Sequence, residues 1–529
     1  MKATSGRLPR SRVLSRPGRS RSFWTGLVCF FLVGWATSPA SGMAEGGEAY
    51  VPPEWVQQPL SREEIGLQHF ISRITWESAE DPDPWGYWYV NPVQTGLDGL
   101  RYPLAFAGYA SFLLGARTPA YTDLAGRQLR NIIERMLEWQ VWSYVEVYWA
   151  DEPFFPDPIY PGNVMYSGHL LQLMGMYQLL TGDDRYATEG VDFIWKDGTI
   201  IHYTLHDIAL RMHELMCAHR SGGITCEPDL IFVYCNNHSS VGLLIYDTLY
   251  PTPSVYQALE KWRKWVQRRS VYLVDGPGYF KIVYSVQAHA FIPYGEAGGD
   301  AWGLGWMIPW NPDDAFILRG WQDLLSNPLF VETQDGAIHL EVSPLLETMD
   351  ITVPMATGFL PLLAREMEGP SSPVAAGVLA WFSRYATWWD GDGDGYEEVL
   401  SFETGDDRNV ATANVAAGLA LVDRNMLRDV LRDPQGTLGE GPRVTDVAYP
   451  DVEVTQAFRL PDGGVQVRIV PGRPTAPSST SFRIDAISTP VRVTRDGEPY
   501  DGFLEQGTAV TVTTDLQEAH TFQVVPIQP

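Results

Sequence analysis

The stretch Leu170-Leu-Gln-Leu173-Met174-Gly-Met-Tyr177-Gln-Leu-Leu180 places apolar side chains at the i, i+3, i+4 spacing of a helical face, and Thr181-Gly182-Asp183-Asp184 then stops it. The same spacing returns in Arg101 to Leu114, Tyr121 to Leu137, Ile208 to Cys217, Ser254 to Val266 and Pro354 to Met367. From about residue 60 to 430 the chain therefore reads as helices of similar length. Their connecting loops are rich in Gly, Pro, Asp and aromatics, an arrangement that suits an α/α toroid. After about Tyr449 the period changes to two. Val465-Gln-Val-Arg-Ile469, Thr508-Ala-Val-Thr-Val512 and Thr521-Phe-Gln-Val-Val525 alternate, with turn signals at Pro461-Asp462-Gly463 and Asp496-Gly497. The expected layout is a mainly α body over residues 45–430, a linker rich in Pro, Gly and charge at 431–449, and a small antiparallel β domain over 450–529.

Of 529 residues 45% are hydrophobic, including 19 Trp, so a large core can be buried and global disorder is excluded. The 38 Lys and Arg against 64 Asp and Glu give a charge of −26, which argues against a nucleic-acid partner. The basic residues are concentrated at the start. Lys2 and six arginines up to Arg21 precede an apolar run from Phe23 to Trp35 and then small residues to Ala44. That order predicts a signal peptide over residues 1–44 and a secreted or periplasmic protein, with an N-terminal membrane anchor as the alternative. Once the leader is removed, no other stretch is long and apolar enough to anchor in a membrane. Removing it also leaves a charge of −33 and three thiols, Cys217, Cys226 and Cys235.

Two constellations could carry chemistry. In Cys226-Glu227-Pro-Asp229-Leu-Ile-Phe232-Val-Tyr-Cys235-Asn236, two thiols and two carboxylates fall within ten residues. Burial raises the pKa of both group types, so that protonated forms persist near neutrality and can act as general acids. A disulfide, or inert core thiols, is the competing reading. The second is Asn163-Val-Met165-Tyr-Ser-Gly-His169, where a His near a helix start would be held at low pKa by the helix dipole. The competing reading is a satisfied cap or core His.

These two segments resemble the signature segments of the bacterial linalool dehydratase/isomerase family. So do Arg101-Tyr-Pro-Leu-Ala-Phe106-Ala-Gly-Tyr109 and Leu363-Ala-Arg-Glu-Met367. The resemblance runs from about residue 60 to 425. It implies an (α/α)6 barrel assembled as a homo-oligomeric ring. It also implies cofactor-free hydro-lyase and isomerase chemistry on a small hydrophobic alcohol, as in linalool to myrcene or geraniol. On this resemblance Cys226 and Cys235 take the catalytic positions. His169, on a pocket position, completes the proton relay as a third catalytic residue; Met165, Glu227 and Phe232 line the pocket, and Trp302 and Trp306 form an aromatic wall. The family also uses an Asp and a Tyr six residues apart, upstream of Arg101. An ungapped register gives Thr75 and Asp81 there; a gap gives Asp83 with Tyr89, or Asp81 with Tyr87.

Two motifs invite metal readings. His202, His206, His213 and Cys217 fall on one helical stripe and could hold zinc, or be a capped, half-buried set. Asp390-Gly-Asp392-Gly-Asp394-Gly395 copies the first half of a calcium loop, with an acidic turn as the alternative. Two further functions compete. A secreted carbohydrate-active toroid would need paired carboxylates, such as Asp81 and Asp83 facing Asp300 or Asp350. A binding protein would use the barrel without catalysis and the β domain for adhesion.

Overall fold

The computed structural model describes residues 50–76, 99–252, 255–269, 280–281, 283–292, 295–344, 352–390, 393–402 and 408–527. The predicted leader, Asp81, Asp83, Tyr87, Tyr89, Asp350 and Asp392 lie outside the described residues. The helical body runs through α1 (Arg62–Trp76), α2 (Arg101–Arg117), α3 (Asp123–Met136), α4 (Val164–Thr181), α5 (Leu205–Ala218) and α6 (Val233–Leu249). It continues through α7 (Val255–Arg269), α8 (Ala297–Met307), α9 (Asp314–Leu325), α10 (Val353–Gly358), α11 (Leu360–Glu368), α12 (Pro373–Tyr385) and α13 (Arg408–Ala420). Around the inside, α2 packs on α4, α4 on α6, α6 on α8, α8 on α10 and α11, these on α13, and α13 back on α2. Behind this ring stand α1, α3, α5, α7, α9 and α12. The body is an (α/α)6 barrel.

Composition decides which helices line the inside. All of α2 but Tyr102 is buried, as are Val164–Tyr177 of α4 and Val233–Ile245 of α6. A helix enclosed on every side is apolar there or, as at Asn236, Asn237 and His238 of α6, has its polar side chains hydrogen-bonded inside. The stripe read at Leu170 to Leu180 is thus only one of the covered faces. The outer α7 keeps a true stripe, Val255, Ala258, Leu259, Trp262 and Val266. Small residues bring α4 and α6 together: a Cβ at Gly168 would lie 3.0 Å from the Ser239 amide, and one at Gly242 2.8 Å from Leu171 Cγ. The predicted single helix Pro354 to Met367 is two, α10 and α11, meeting at Phe359. Pro361 has no amide to continue the ladder there.

The C-terminal strands form two antiparallel sheets. One has the order Arg443–Thr445, Ser479–Asp485, Ala509–Asp515, Phe503–Gln506. The other has the order Val452–Arg459, Val465–Pro471, His520–Pro526, Val491–Arg495, Glu498–Pro499. Every residue of Val452–Arg459 is buried, because the strand is covered by the sandwich on one face and by the barrel on the other. The Leu60 amide donates to Thr455 O (2.7 Å) and the Ala120 amide to Ala457 O (3.1 Å), and Ala120, Tyr121 and Leu124 join the sandwich core. Residues 431–449 differ from the expected linker. They carry a short helix, Pro434–Leu438, and the strand Arg443–Thr445, paired with Arg483 to Asp485.

His69 of α1 is clamped at this junction. Its Nδ1 lies 2.5 Å from Asp394 Oδ2 and its Nε2 2.7 Å from Glu453 Oε1, with all three side chains buried. Of the acidic turn read as a calcium loop, Asp394 is therefore committed to His69 and to the Tyr396 amide (2.7 Å), and Asp390 accepts from the Gly395 amide (3.0 Å). The four zinc candidates do not share a helix. Thr204 and Asp207 cap α5, so His202 falls on the preceding strand Ile200–Tyr203, where it pairs with Asp192. His206 bonds Tyr246, and Cys217 lies 3.5 Å from His213. Among the described residues no helix is long and apolar enough to cross a membrane.

Candidate active site

The Cys226 to Cys235 segment folds back on itself. The Cys226 amide donates to Leu230 O (2.7 Å) and the Leu230 amide to Glu227 O (3.0 Å), and Asp229 takes a left-handed φ of 72°. Leu230–Phe232 then forms a strand against Val283–Ser285, and α6 begins at Val233. Asn236 locks the turn. Its side chain accepts from the Ile224 amide (2.7 Å) and donates to Ile224 O (2.9 Å) and Phe232 O (2.8 Å). Val164 N, at the start of α4, donates to Thr225 O (3.0 Å), which fixes the segment to the helix carrying Met165 and His169. The cysteines are nine residues apart in sequence, yet they meet as a buried, reduced pair with Cys226 hydrogen-bonded to Cys235. Cys217 is an exposed free thiol.

Burial comes first among the causes that push the Cys226 thiol well above its ordinary range. The bond to Cys235 and the negative fields of Cys235 and Glu227 add to it, against Arg101. Burial likewise raises the Glu227 carboxyl, against Arg101, its own amide and the Cys226 hydrogen bond. Glu227 Oε2 is buried and has no hydrogen-bond partner among the described residues. The site thus keeps both Cys226 and Glu227 inclined to hold protons.

Arg101 lies fully buried at the first position of α2. Its guanidinium sits between two rings, 4.6 Å from the Tyr102 centroid and 4.3 Å from that of Tyr144, and its Nη2 donates to Met165 Sδ at 2.9 Å. Burial disfavours the charge, but Tyr144, Tyr102, Cys226 and Glu227 around it favour the cation. Tyr144 is in turn held by Asn163 Oδ1 at 2.6 Å. Sequence reading missed Arg101 as a site residue, although a lone cation opening an apolar helix is a usable signal. Replacing it with Met should slow alkylation of Cys226 at neutral pH, because the cation that favours its thiolate is gone, while Lys should preserve most of the rate. Timed alkylation read by mass spectrometry checks this; equal rates in all three proteins would contradict it.

His169 is the sixth residue of α4. Its Nδ1 lies 2.6 Å from Tyr109 OH, and its buried Nε2 has no hydrogen-bond partner among the described residues. The pKa is lowered to about 3 by burial and then by Arg101. The low value expected from the helix dipole thus has burial as its first cause and the Arg101 cation as its second. Its neighbour His238, ring centroid 4.1 Å away, escaped sequence reading. Trp302 Nε1 donates to His238 Nε2 (2.8 Å), so Nδ1 carries the proton and donates to Gln172 Oε1 (2.9 Å). Both nitrogens are used, and burial with the His169 charge lowers this pKa well below normal.

Aromatic rings stand around His169, with Tyr102 at 5.8 Å and Phe106 at 6.0 Å between centroids. Trp302 stacks on Phe359 (5.0 Å between centroids, 4° between planes) and meets Phe106 at 5.6 Å and Tyr102 at 6.2 Å. The break between α10 and α11 delivers Phe359 to this cluster. Trp306 stands behind it, 4.7 Å from Tyr109 and 5.4 Å from His238. Phe232 is half-buried where its strand enters α6. The structure thus gathers Cys226, Cys235, Glu227, Met165 and His169 around Arg101 and Tyr102, with Trp302 beside them. Asp83 and Tyr89 lie outside the described residues. Of the carboxylates that a sugar-cleaving site would need, Asp300 is buried in α8 with Oδ1 accepting from the Phe280 amide (2.8 Å).

Among solved structures, the chain is similar to the unsaturated glucuronyl hydrolase from Bacillus sp. GL1, at 12% identity over 70% of this chain and 97% of that one, with a TM-score of 0.42. It is also similar to the GH76A α-1,6-mannanase from Salegentibacter sp. HEL1_6, at 11% identity over 69% and 99%, TM-score 0.38. A family 105 glycoside hydrolase from C. acetobutylicum ATCC 824 matches at 9% identity over 68% and 99%, TM-score 0.40. Likenesses this distant say nothing about substrate. Residues 101–387 match the linalool dehydratase/isomerase family, a span that begins at Arg101 and contains both cysteines, His169 and the aromatic wall. The chain belongs to the linalool dehydratase/isomerase family.

Proposed function

We propose that the protein dehydrates and isomerises a hydrophobic allylic alcohol of terpenoid type, using the two thiols for proton transfer and no cofactor. The observation that carries this reading is the buried, reduced Cys226–Cys235 pair beside Glu227 and His169 under an aromatic wall. The Cys226 thiol gives its proton to the hydroxyl, the C–O bond breaks, and water leaves. Positive charge spreads over the allylic carbons, where the faces of Trp302, Phe106 and Tyr102 favour cationic character. A thiolate of the pair then takes a proton from the adjacent methyl carbon; this forms the diene and restores the thiol. In the isomerisation, water instead adds at the far allylic carbon and returns its extra proton to the thiolate. His169, neutral at working pH, acts through Nε2 as a hydrogen-bond partner for the departing oxygen.

Incubating the mature protein with linalool, and separately with geraniol and saturated tertiary alcohols, tests the reading. Gas chromatography should detect diene and transposed alcohol from the allylic substrates alone. Turnover of none of them, or hydrolysis of an oligosaccharide instead, would overturn it. Because the acid must start protonated and burial raises Cys226 above its ordinary 9.0, the rate should stay flat from neutral pH to about 9 and fall above it. Initial rates after brief exposure separate this limb from alkaline unfolding, and a rate that climbs steadily with pH would contradict it.

A further inference from the structure

The outer helix α7 carries Lys261, Arg263, Lys264, Arg268 and Arg269 against the single acid Glu260, inside a chain of charge −26. At its C-terminal end a cleft of about 320 Å³ is lined, among the described residues, by Arg220, Trp265, Arg269, Tyr284, His289 and Phe291, with no carboxylate among them. The aromatic half is built as a unit. Trp265 stacks on the buried Trp262 (5.4 Å, 16°), meets Tyr284 edge-on (5.1 Å, 83°) and tilts against Phe291 (5.2 Å, 35°). The cationic half faces it. Arg220 Nη2 donates to Tyr284 OH (3.2 Å), and Lys281 Nζ stands 5.3 Å over the Phe291 ring. His219 next door senses the same field: after burial, Lys261, Arg220 and His289 lower its pKa.

The volume falls at the low end for small-molecule sites, about 300–1,000 Å³. An apolar wall with two guanidinium groups, and no acid among the described lining residues, selects a flat or branched apolar body bearing one carboxylate. A polyanion would gain most from the open face of α7 and nothing from the three rings. We propose that this cleft, lined by none of the residues of the cysteine site, is a binding site for small aryl or isoprenoid carboxylates. The proposal does not depend on the reaction assigned above.

Cinnamate is a suitable probe and its methyl ester the neutral control of the same shape. Calorimetry and Trp fluorescence on the full mature chain should give saturable cinnamate binding, at least about tenfold tighter than the ester, that weakens with salt. The double variant Arg220→Gln/Arg269→Gln should lose about tenfold in affinity, while Lys264→Gln/Arg268→Gln, on the same helix but outside the lining, should stay within about twofold. Trp265→Leu offers a second route to the same loss. Thermal melts confirm that each variant is folded. No saturation by about 1 mM, equal binding of the ester, or affinity unchanged by the Arg220/Arg269 double variant would overturn the proposal. The last result would place cinnamate elsewhere on the chain.

Discussion

Cys226→Ala and Cys235→Ala should each cut allylic-alcohol turnover by about 10²–10⁴-fold, the usual worth of a positioned acid or base. The double variant should be hardly worse than the weaker single one, because two groups passing the same proton act as a unit. Serine separates the roles. A Ser hydroxyl still donates a hydrogen bond to a departing oxygen, but it does not form an anion at neutral pH and cannot take up a carbon-bound proton. Serine at the acid position should therefore retain more activity than serine at the base position, and that asymmetry assigns the two thiols. Product formation by gas chromatography, with circular dichroism to show folding, decides the matter. Undiminished turnover in both Ala variants would end the thiol mechanism.

His69→Ala should destabilise the protein by about 3–5 kcal/mol, since removing one partner from a buried charged cluster strands the others. Asp394 and Glu453 would then face each other across an apolar gap, with Tyr396 and Tyr449 packed at 5.2 and 5.7 Å from where the imidazole stood. Glu453→Gln should cost less, because an amide still accepts from His69. Burial works against the imidazolium, but the hydrogen bonds and charges of Asp394 and Glu453 outweigh it and push the pKa up to about 10. A raised folded-state pKa stabilises fully below about 6.5 and loses that stability as pH climbs towards 10. Glu453, also raised by burial, acts in the same direction. The wild-type denaturant midpoint should therefore fall between pH 7 and 10, and the His69→Ala midpoint should fall less. Parallel slopes in the two proteins would remove His69 as the cause.

What could be read in the sequence follows from range. Apolar spacing marks α3 and α7 because an outer helix buries one face, and alternation marks Val465–Pro471 for the same reason. On the inner helices the spacing read at Leu170 to Leu180 is one covered face among several, so the order in which they close was invisible. α2 meets α13 some 300 residues away through side chains that look alike on all sides. The cysteine segment was legible because its turn, strand and Asn lock are local. Arg101 left the trace of a lone cation opening an apolar helix, but Tyr109 and His238 act across the barrel, and only their three-dimensional partners identify them. The segment 431–449 looked like a tether because its Pro, Gly and charges resemble those of a flexible chain. Its pairing with residues 40 positions on is what gives it structure.

In a closed ring of helices, all neighbours but one pair follow each other along the chain. The exception is where the beginning meets the end, and nothing covalent holds it. Here the segment that leaves α13 returns to that very place. Strand Val452–Arg459 bonds Leu60 and Ala120 on either side of the first two helices, Tyr449 OH reaches Ser72 (2.9 Å), and Glu453 grips His69. The Leu60 and Ala120 bonds lie at the far end of α2 from Arg101, about 24 Å away by helical rise. The strands are thus remote from the chemistry and act as a clasp on the barrel's one seam. Cutting the chain after Ala420 should remove no residue of the site and yet let the toroid unroll.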